Sequence, residues 1–221
     1  MSLNKKILPI VLQYEEQGQT RTTLDCLKVA GFTKWLMADR EGVGSMSRAF
    51  NRAVRENQET VKRYEFIWFV TNVSFAPSLP ASLLEALESH PGAIAVHPAM
   101  DSDHPHIRQN GQEVKAVPFI EWTAPLIAVE GWEDVGELDE AMPYVHFDLD
   151  WSHRARQAGW ELLVDGRVKV NHTYLWKKAP EKISHLRREL RALRHPASVA
   201  RMVEKWGPDW KKKLCPTNTC G

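Results

Sequence analysis

Short apolar runs alternate along this chain with stretches of helical spacing. Ile7 to Leu12 predicts a buried strand that opens into a polar loop, Gln13 to Gln19. Thr20 to Ala30 predicts a helix with Leu24 and Leu27 inward, candidate caps among Thr20, Thr22 and Thr23, and Gly31 to stop it. Lys34 to Ala38 predicts a second strand, ending on Asp39 ahead of the loop Arg40 to Gly44. Between Ser45 and Arg63, Met46, Phe50, Val54 and Val61 share one helical face opposite charged residues, which predicts one amphipathic helix. Tyr64 to Val70 is the most apolar run, continuous as a strand buried on both faces of a parallel sheet should be. A loop from Thr71 to Pro80 follows. Leu83, Leu84 and Leu87 then mark a helix ended by Pro91 and Gly92, and Ala93 to His97 is a further strand. Asp101 to Gly111 reads as a loop, Ala124 to Val129 as a strand, and Trp132 to Val135 as a short turn.

Strands alternating with helices predict an α/β fold with a mixed, mostly parallel sheet flanked by helices. Further on, an aromatic and β-branched run reaches Phe147 and gives way, from about Leu149, to a helical pattern ending at Gly159. Glu161 to Val170 is a strand, followed by Asn171 and His172. From Ala179 the spacing is helical, with Ile183, Leu186, Leu190 and Leu193 on one stripe; Pro196 breaks it, and Ser198 to Trp206 resumes it. Residues 1–175 are thus expected to form one domain and residues 176–221 a helical extension packed on it.

Composition changes this picture in one respect. The net charge of +1 hides an asymmetry: from Trp176 onward there are 12 Lys and Arg against 4 Asp and Glu, a surplus of +8, leaving the body at −7. A basic run is most simply a solvated face, or else a surface for an anionic partner such as a nucleotide diphosphate, nucleic acid or an acidic membrane. No apolar run reaches the roughly 20 residues of a membrane helix. Cys26, Cys215 and Cys220 form neither a disulfide framework nor a zinc pattern, so a cytoplasmic location is expected.

Ligands of open α/β sheets bind beyond the carboxyl ends of the strands, where the loops after Gln13, Asp39 and Thr71 would gather. On spacing alone Asp39 is a turn or cap residue; at that edge its carboxylate could also accept hydrogen bonds from a base or ribose. His104 and His106 belong to a solvated loop without a set of metal ligands around them. Asp148 and Asp150 are the stronger signal. One carboxylate suffices to cap a helix N-terminus, and residues one apart do not share a helix face. The second is free to point into a site or toward Arg154, a division suited to general-base chemistry.

Gly136 to Met142, then Phe147-Asp148-Leu149-Asp150, Arg154 and Gly159-Trp160, resemble the second half of a family 2 type GT-A glycosyltransferase. That family has Gly-x-Phe-Asp-Glu, then Glu-Asp-x-Asp, an Arg, a Gly and a strand ending in His, as Lys169 to His172 does here. Ala38-Asp39 and the segment Gly44 to Asn51 agree with its first half, so the resemblance spans Ile7 to His172. Val203 to Gly207 also resembles a segment that follows the catalytic domain in some members.

The resemblance implies an inverting enzyme that moves a sugar from a nucleotide-diphosphate sugar, such as a UDP-sugar, to the hydroxyl of a glycan or other acceptor. Asp148 would be the catalytic base, Asp150 and Arg154 its support, and Gln13, Asp39, Arg40 and Asn72 the donor-binding residues. Two departures stand out. The family's Asp-x-Asp, whose last carboxylate holds a divalent Mn or Mg, is Thr71-Asn72-Val73 here, and the Glu before the base is Phe147. His172, Asn72, Arg40 or basic residues of the tail would then stabilise the leaving group, with His172 the candidate metal ligand. The alternative is a GT-A-like module that binds a nucleotide, a glycan or, through its tail, nucleic acid without turnover.

Overall fold

A turn of helix, α1 (Leu3–Lys6), leads into β1 (Ile7–Gln13), whose apolar run is buried as its composition requires. The computed structural model describes residues 3–13, 19–40, 44–102, 105–143, 145–172 and 185–214. After β1 come α2 (Gln19–Val29), β2 (Leu36–Asp39), α3 (Met46–Glu56) and α4 (Gln58–Val61). The middle of the chain forms β3 (Phe66–Val70), β4 (Val73–Phe75), α5 (Leu79–Glu88), β5 (Ala93–Ala99) and β6 (Val114–Ala116). Next are β7 (Leu126–Ala128), α6 (Val129–Val135), α7 (Phe147–Gln157) and β8 (Glu161–His172), then α8 (His185–Trp206) and α9 (Trp210–Leu214).

The strands join in the order β2-β1-β3-β7-β5-β8-β4, with β6 also paired to β8. β1, β2, β3, β5 and β8 run one way, β7 is reversed between β3 and β5, and the short β4 and β6 oppose β8. This is the mixed, mostly parallel sheet flanked by helices that the alternating pattern implies. The carboxyl ends of β1 and β2 finish side by side, Gln13 in register with Asp39.

Several details differ from the sequence expectation. Asn57 divides the helix expected over Ser45 to Arg63, because its side-chain amide donates to the Ala53 carbonyl while its backbone N–H turns to the Val54 carbonyl. The expected turn after Val129 is the full helix α6; its Gly131 lies against Ile94 so closely that an added Cβ would approach Ile94 to 2.6 Å. Part of the expected Thr71 to Pro80 loop is β4. Helix α8 runs through Pro196 without a break, one backbone hydrogen bond lost while Ser198 and Met202 stay fully buried on its inner face. Among the described residues no strand lies between α6 and α7: a turn from Asp139 closes at Met142, Pro143 is a bend, and the helix starts at Phe147. His104, Cys215, Cys220 and the helical stretch beginning at Ala179 up to residue 184 lie outside the described residues.

Aromatic rings gather where β3 meets the C-terminal half. Phe69 packs on Trp122 and Trp132, with ring centroids 5.3 and 5.1 Å apart, and Trp122 lies 5.2 Å from Trp151 and 6.3 Å from Phe147. Each buried ring contributes on the order of 3 kcal/mol. Trp122 thereby ties the strand leading to Asn72 to the residue before Asp148. No helix among the described residues is long and apolar enough to cross a membrane.

Candidate active site

The start of α7 is held by tertiary bonds and not by a local cap. His146, in the cap position, takes a left-handed conformation with φ 70°, rare and strained for a residue with a Cβ, and its side chain makes no capping bond. What fixes the helix is the loop after α6. Gly136, with φ 80°, ends α6 and turns its carbonyl to the Trp151 indole at 2.9 Å. Arg154 donates to the carbonyls of Val135 and, at 2.6 Å, Glu137. From the other side, Asn51 of α3 clasps Leu138, donating to its carbonyl at 2.8 Å and accepting from its N–H at 3.0 Å. Ser47 adds a bond to the Met142 carbonyl.

In this frame the two carboxylates have opposite surroundings. Asp150 is fully buried and receives Arg154 Nε at 3.0 Å, Trp206 Nε1 at 2.9 Å and Lys205 Nζ at 2.7 Å. Asp148 is half-buried, and its Oδ1 accepts the Leu149 backbone N–H at 2.9 Å. Crowding by protein atoms outweighs the backbone bonds and raises the Asp148 pKa to about 6. One carboxylate is neutralised in place while its neighbour keeps its proton affinity.

The donor-side candidates lie at the strand ends. Gln13 and Asp39 are register partners; Asp39 is exposed, Arg40 half-buried, and Arg52 of α3, bonded first to Glu56, feels the Asp39 charge. Thr71-Asn72-Val73 is rigid. Val73 N–H donates to the Thr71 carbonyl at 2.7 Å and to Thr23 Oγ1 at 3.1 Å, and Thr23 Oγ1 lies 2.9 Å from the Val73 carbonyl, which it can bond in return. Asn72 is 8% exposed and its Oδ1 accepts no hydrogen bond, an orphan that ordinarily marks a missing partner. β4 brings His172 opposite Val73. Burial lowers the His172 pKa to about 4, and that of nearby His97 to about 3, so both rings are neutral at pH 7.

A divalent cation is not well served here. Asn72 and His172 supply two neutral donors, Val73 supplies none, and no cluster of three or more His, Cys, Asp or Glu suited to a metal exists among the described residues. Hard cations such as Mn and Mg favour carboxylate oxygens. The residues present do not fit a firmly held metal. His106, expected in a solvated loop, instead packs edge-on against Phe119 at 4.5 Å.

The basic tail turns inward in part. Arg201 Nε bonds Asp139 at 3.0 Å, Lys205 reaches Asp139 as well as Asp150, and buried Trp210 lies 4.9 Å from the His146 ring. Lys211, Lys212 and Lys213 remain exposed.

No family model and no curated protein matches the chain. Solved structures do. S. aureus TarS 1–349 superposes with a TM-score of 0.57 at 12% identity, covering 96% of this chain and 73% of that one. A mannosyltransferase, PcManGT from Pyrobaculum calidifontis in complex with GDP-Man and Mn2+, gives 0.54 at 14% identity over 95% and 67%. GalNAc-T7 with UDP, GalNAc and Mn2+ gives 0.53 at 11% identity over 95% of this chain and only 58% of that one. The fold is GT-A.

Within this GT-A fold three side chains at the site were not singled out as site residues from sequence. The Trp122 indole N–H, buried beside Phe147, has no hydrogen-bond partner. Lys205 and Trp206 reach Asp150 from a different helix. Nothing in local spacing separates such residues from core aromatics or surface cations; only the tertiary contact does.

Proposed function

We propose that the protein transfers a sugar from a nucleotide-diphosphate donor, a UDP-sugar in the first instance, to an acceptor hydroxyl with inversion. The observation that carries this is Asp148, whose pKa near 6 leaves it ionised at neutral pH yet basic enough to take a proton. Its Oδ accepts the proton of the acceptor hydroxyl as that oxygen forms a bond to the anomeric carbon. The bond from that carbon to the diphosphate oxygen breaks on the opposite face, and the electron pair leaves with the nucleoside diphosphate.

Asp150 and Arg154 hold the turn from which Asp148 acts. Gln13 and Asp39 would meet the base and ribose, Arg40 the diphosphate, and the orphan Asn72 Oδ1 a donor hydroxyl. The residues at Val73 and His172 do not fit Mn or Mg; GDP-Man and Mn2+ in PcManGT belong to that protein. We take residues 1–175 as the catalytic domain, residues 176–221 as its extension and the cytoplasm as its setting.

Asp148→Asn tests this. Transfer to an acceptor should fall by about 10^2 to 10^4, the usual contribution of a general base, while calorimetry shows donor binding retained. An unchanged rate would sink the assignment. The neutral segment Thr71-Asn72-Val73 favours a second reading, a GT-A module that binds a nucleotide or glycan without turnover; binding of nucleotide sugars with no transfer or hydrolysis under any condition would select it.

A further inference from the structure

Two cations and two tryptophans of the C-terminal segment converge on the turn that carries Asp148. Trp206 Nε1 and Lys205 Nζ both end on Asp150 Oδ1, while Arg154 Nε takes Oδ2, so the fully buried carboxylate draws two of its three side-chain donors from α8. Lys205 and Arg201 also bond Asp139, in the loop ahead of α7. The Trp206 ring stands edge-on to His153 of α7 at 4.6 Å. Trp210 packs on His146, the strained residue two positions before Asp148, and His195 lies 5.6 Å from the same ring. A surface tail would place its cations in water, where an ion pair contributes little; here Lys205 meets a carboxylate with no exposed surface, whose charge needs it.

We propose that Lys205 and Trp206 are positioning residues of the active site: by holding Asp150 they fix the first turn of α7, from which Asp148 acts, and balance the charge beside it. This rests on the transferase reading above. The charged and titratable groups facing Asp150 are Arg154 and His153 of its own helix and Lys205 of α8, with Asp139 competing for Lys205 and drawing off Arg201. Removing Lys205 leaves Asp150 with Arg154 as its cation. The surroundings of Asp150 are then more negative by one charge, two residues from Asp148, and this opposes ionisation there.

The test uses the full chain with its aspartate carboxyl carbons labelled, the Asp148 signal identified by its loss in Asp148→Asn. In Lys205→Met the titration midpoint of Asp148 should rise by about half a pH unit or more. In Lys205→Met combined with Asp150→Asn, which removes both charges, the midpoint should return toward the wild-type value. Trp206→Phe, which keeps a ring against His153, should lower kcat about tenfold with the donor KM within about twofold, since it disturbs the base and not the donor contacts. A midpoint unmoved in Lys205→Met, or a kcat unmoved in folded Trp206→Phe, overturns the proposal. If the wild-type protein turns over no nucleotide sugar while the midpoint shifts and returns as described, the positioning role stands and the transferase reading fails.

Discussion

The two halves of the site are built on different principles. At the start of α7 charges abound and are sorted: Asp150 is matched by Arg154 and Lys205, and Asp148 is left to itself. At the strand ends, the segment from Thr71 to Val73 and His172 is neutral, rigid and centred on an amide oxygen without a partner. On the proposed reading the first half would move a proton, and the second, at Asn72, would meet a donor hydroxyl. Aromatic packing through Trp122 keeps the halves together although their chemistry is unequal. On that reading chemical capacity lies more in the half at the start of α7 than in the half at the strand ends.

The largest effect expected from breaking this contrast is that of Asp148→Asn on turnover, set out above. Its stability signature is opposite in sign to its catalytic one. The folded-state pKa is raised from 3.8 to about 6, so ionising Asp148 costs stability: the favourable contribution is complete below pH 3.8 and is lost as pH rises through about 6. Asp148→Asn should thus be more stable than the wild type at pH 8, by up to about 3 kcal/mol, and indistinguishable at pH 3.5, as urea titrations at both pH values would show. The same group gives transfer an acidic limb, with the rate rising through a pH of about 6. A limb near pH 4 would contradict the environment described for Asp148.

Asp150→Ala comes next in size. It strands Arg154 and Lys205 beside an emptied buried position and should cost about 3 kcal/mol in urea unfolding. A change under about 0.5 kcal/mol, the level of an ordinary surface substitution, would show that the triple contact on Asp150 is not formed.

On the donor side, Asn72→Ala should weaken nucleotide-sugar binding about tenfold while leaving the acidic limb in place. Val73→Asp would sharpen the comparison from the other direction. A carboxylate opposite His172 should make donor affinity respond to manganese by about tenfold, where the wild type responds less than about twofold. Equal manganese responses in both proteins would mean that the cation is held by groups other than these.

Much of the fold was legible because β1 and β3 are continuous apolar runs of strand length, and because Gly31, Gly92 and Gly159 punctuate the pattern. Asp148 stood out for a related reason: two carboxylates at the start of a helix are more than a cap requires. Asn51 entered the sequence reading only as the end of a family-like segment, and its clasp on Leu138 was not visible, since a buried Asn with both amide atoms bonded across 87 positions leaves no local trace. β4 and β6 have three residues each, too few to show a period, and exist because β8 is long enough to pair both. Pro196 misled in the opposite direction: a propensity rule implied a break that burial of Ser198 and Met202 overrode. The basic tail read as a surface because its partners, Asp139 and Asp150, are distant in sequence and acidic in a way that composition averages away.

The pairing of Val73 with His172 joins residues about one hundred positions apart. Closing so long a loop is slow and entropically opposed, and only three register pairs of β4 reward it. The β1–β2–β3 block, whose contacts are closer in sequence, would settle first, and the donor side last. A chain halted short of β8 would retain Asp39 and Asn72 yet lack the strand that pairs with β4, which makes the arrival of the final strand the event that completes the strand-end half of the site.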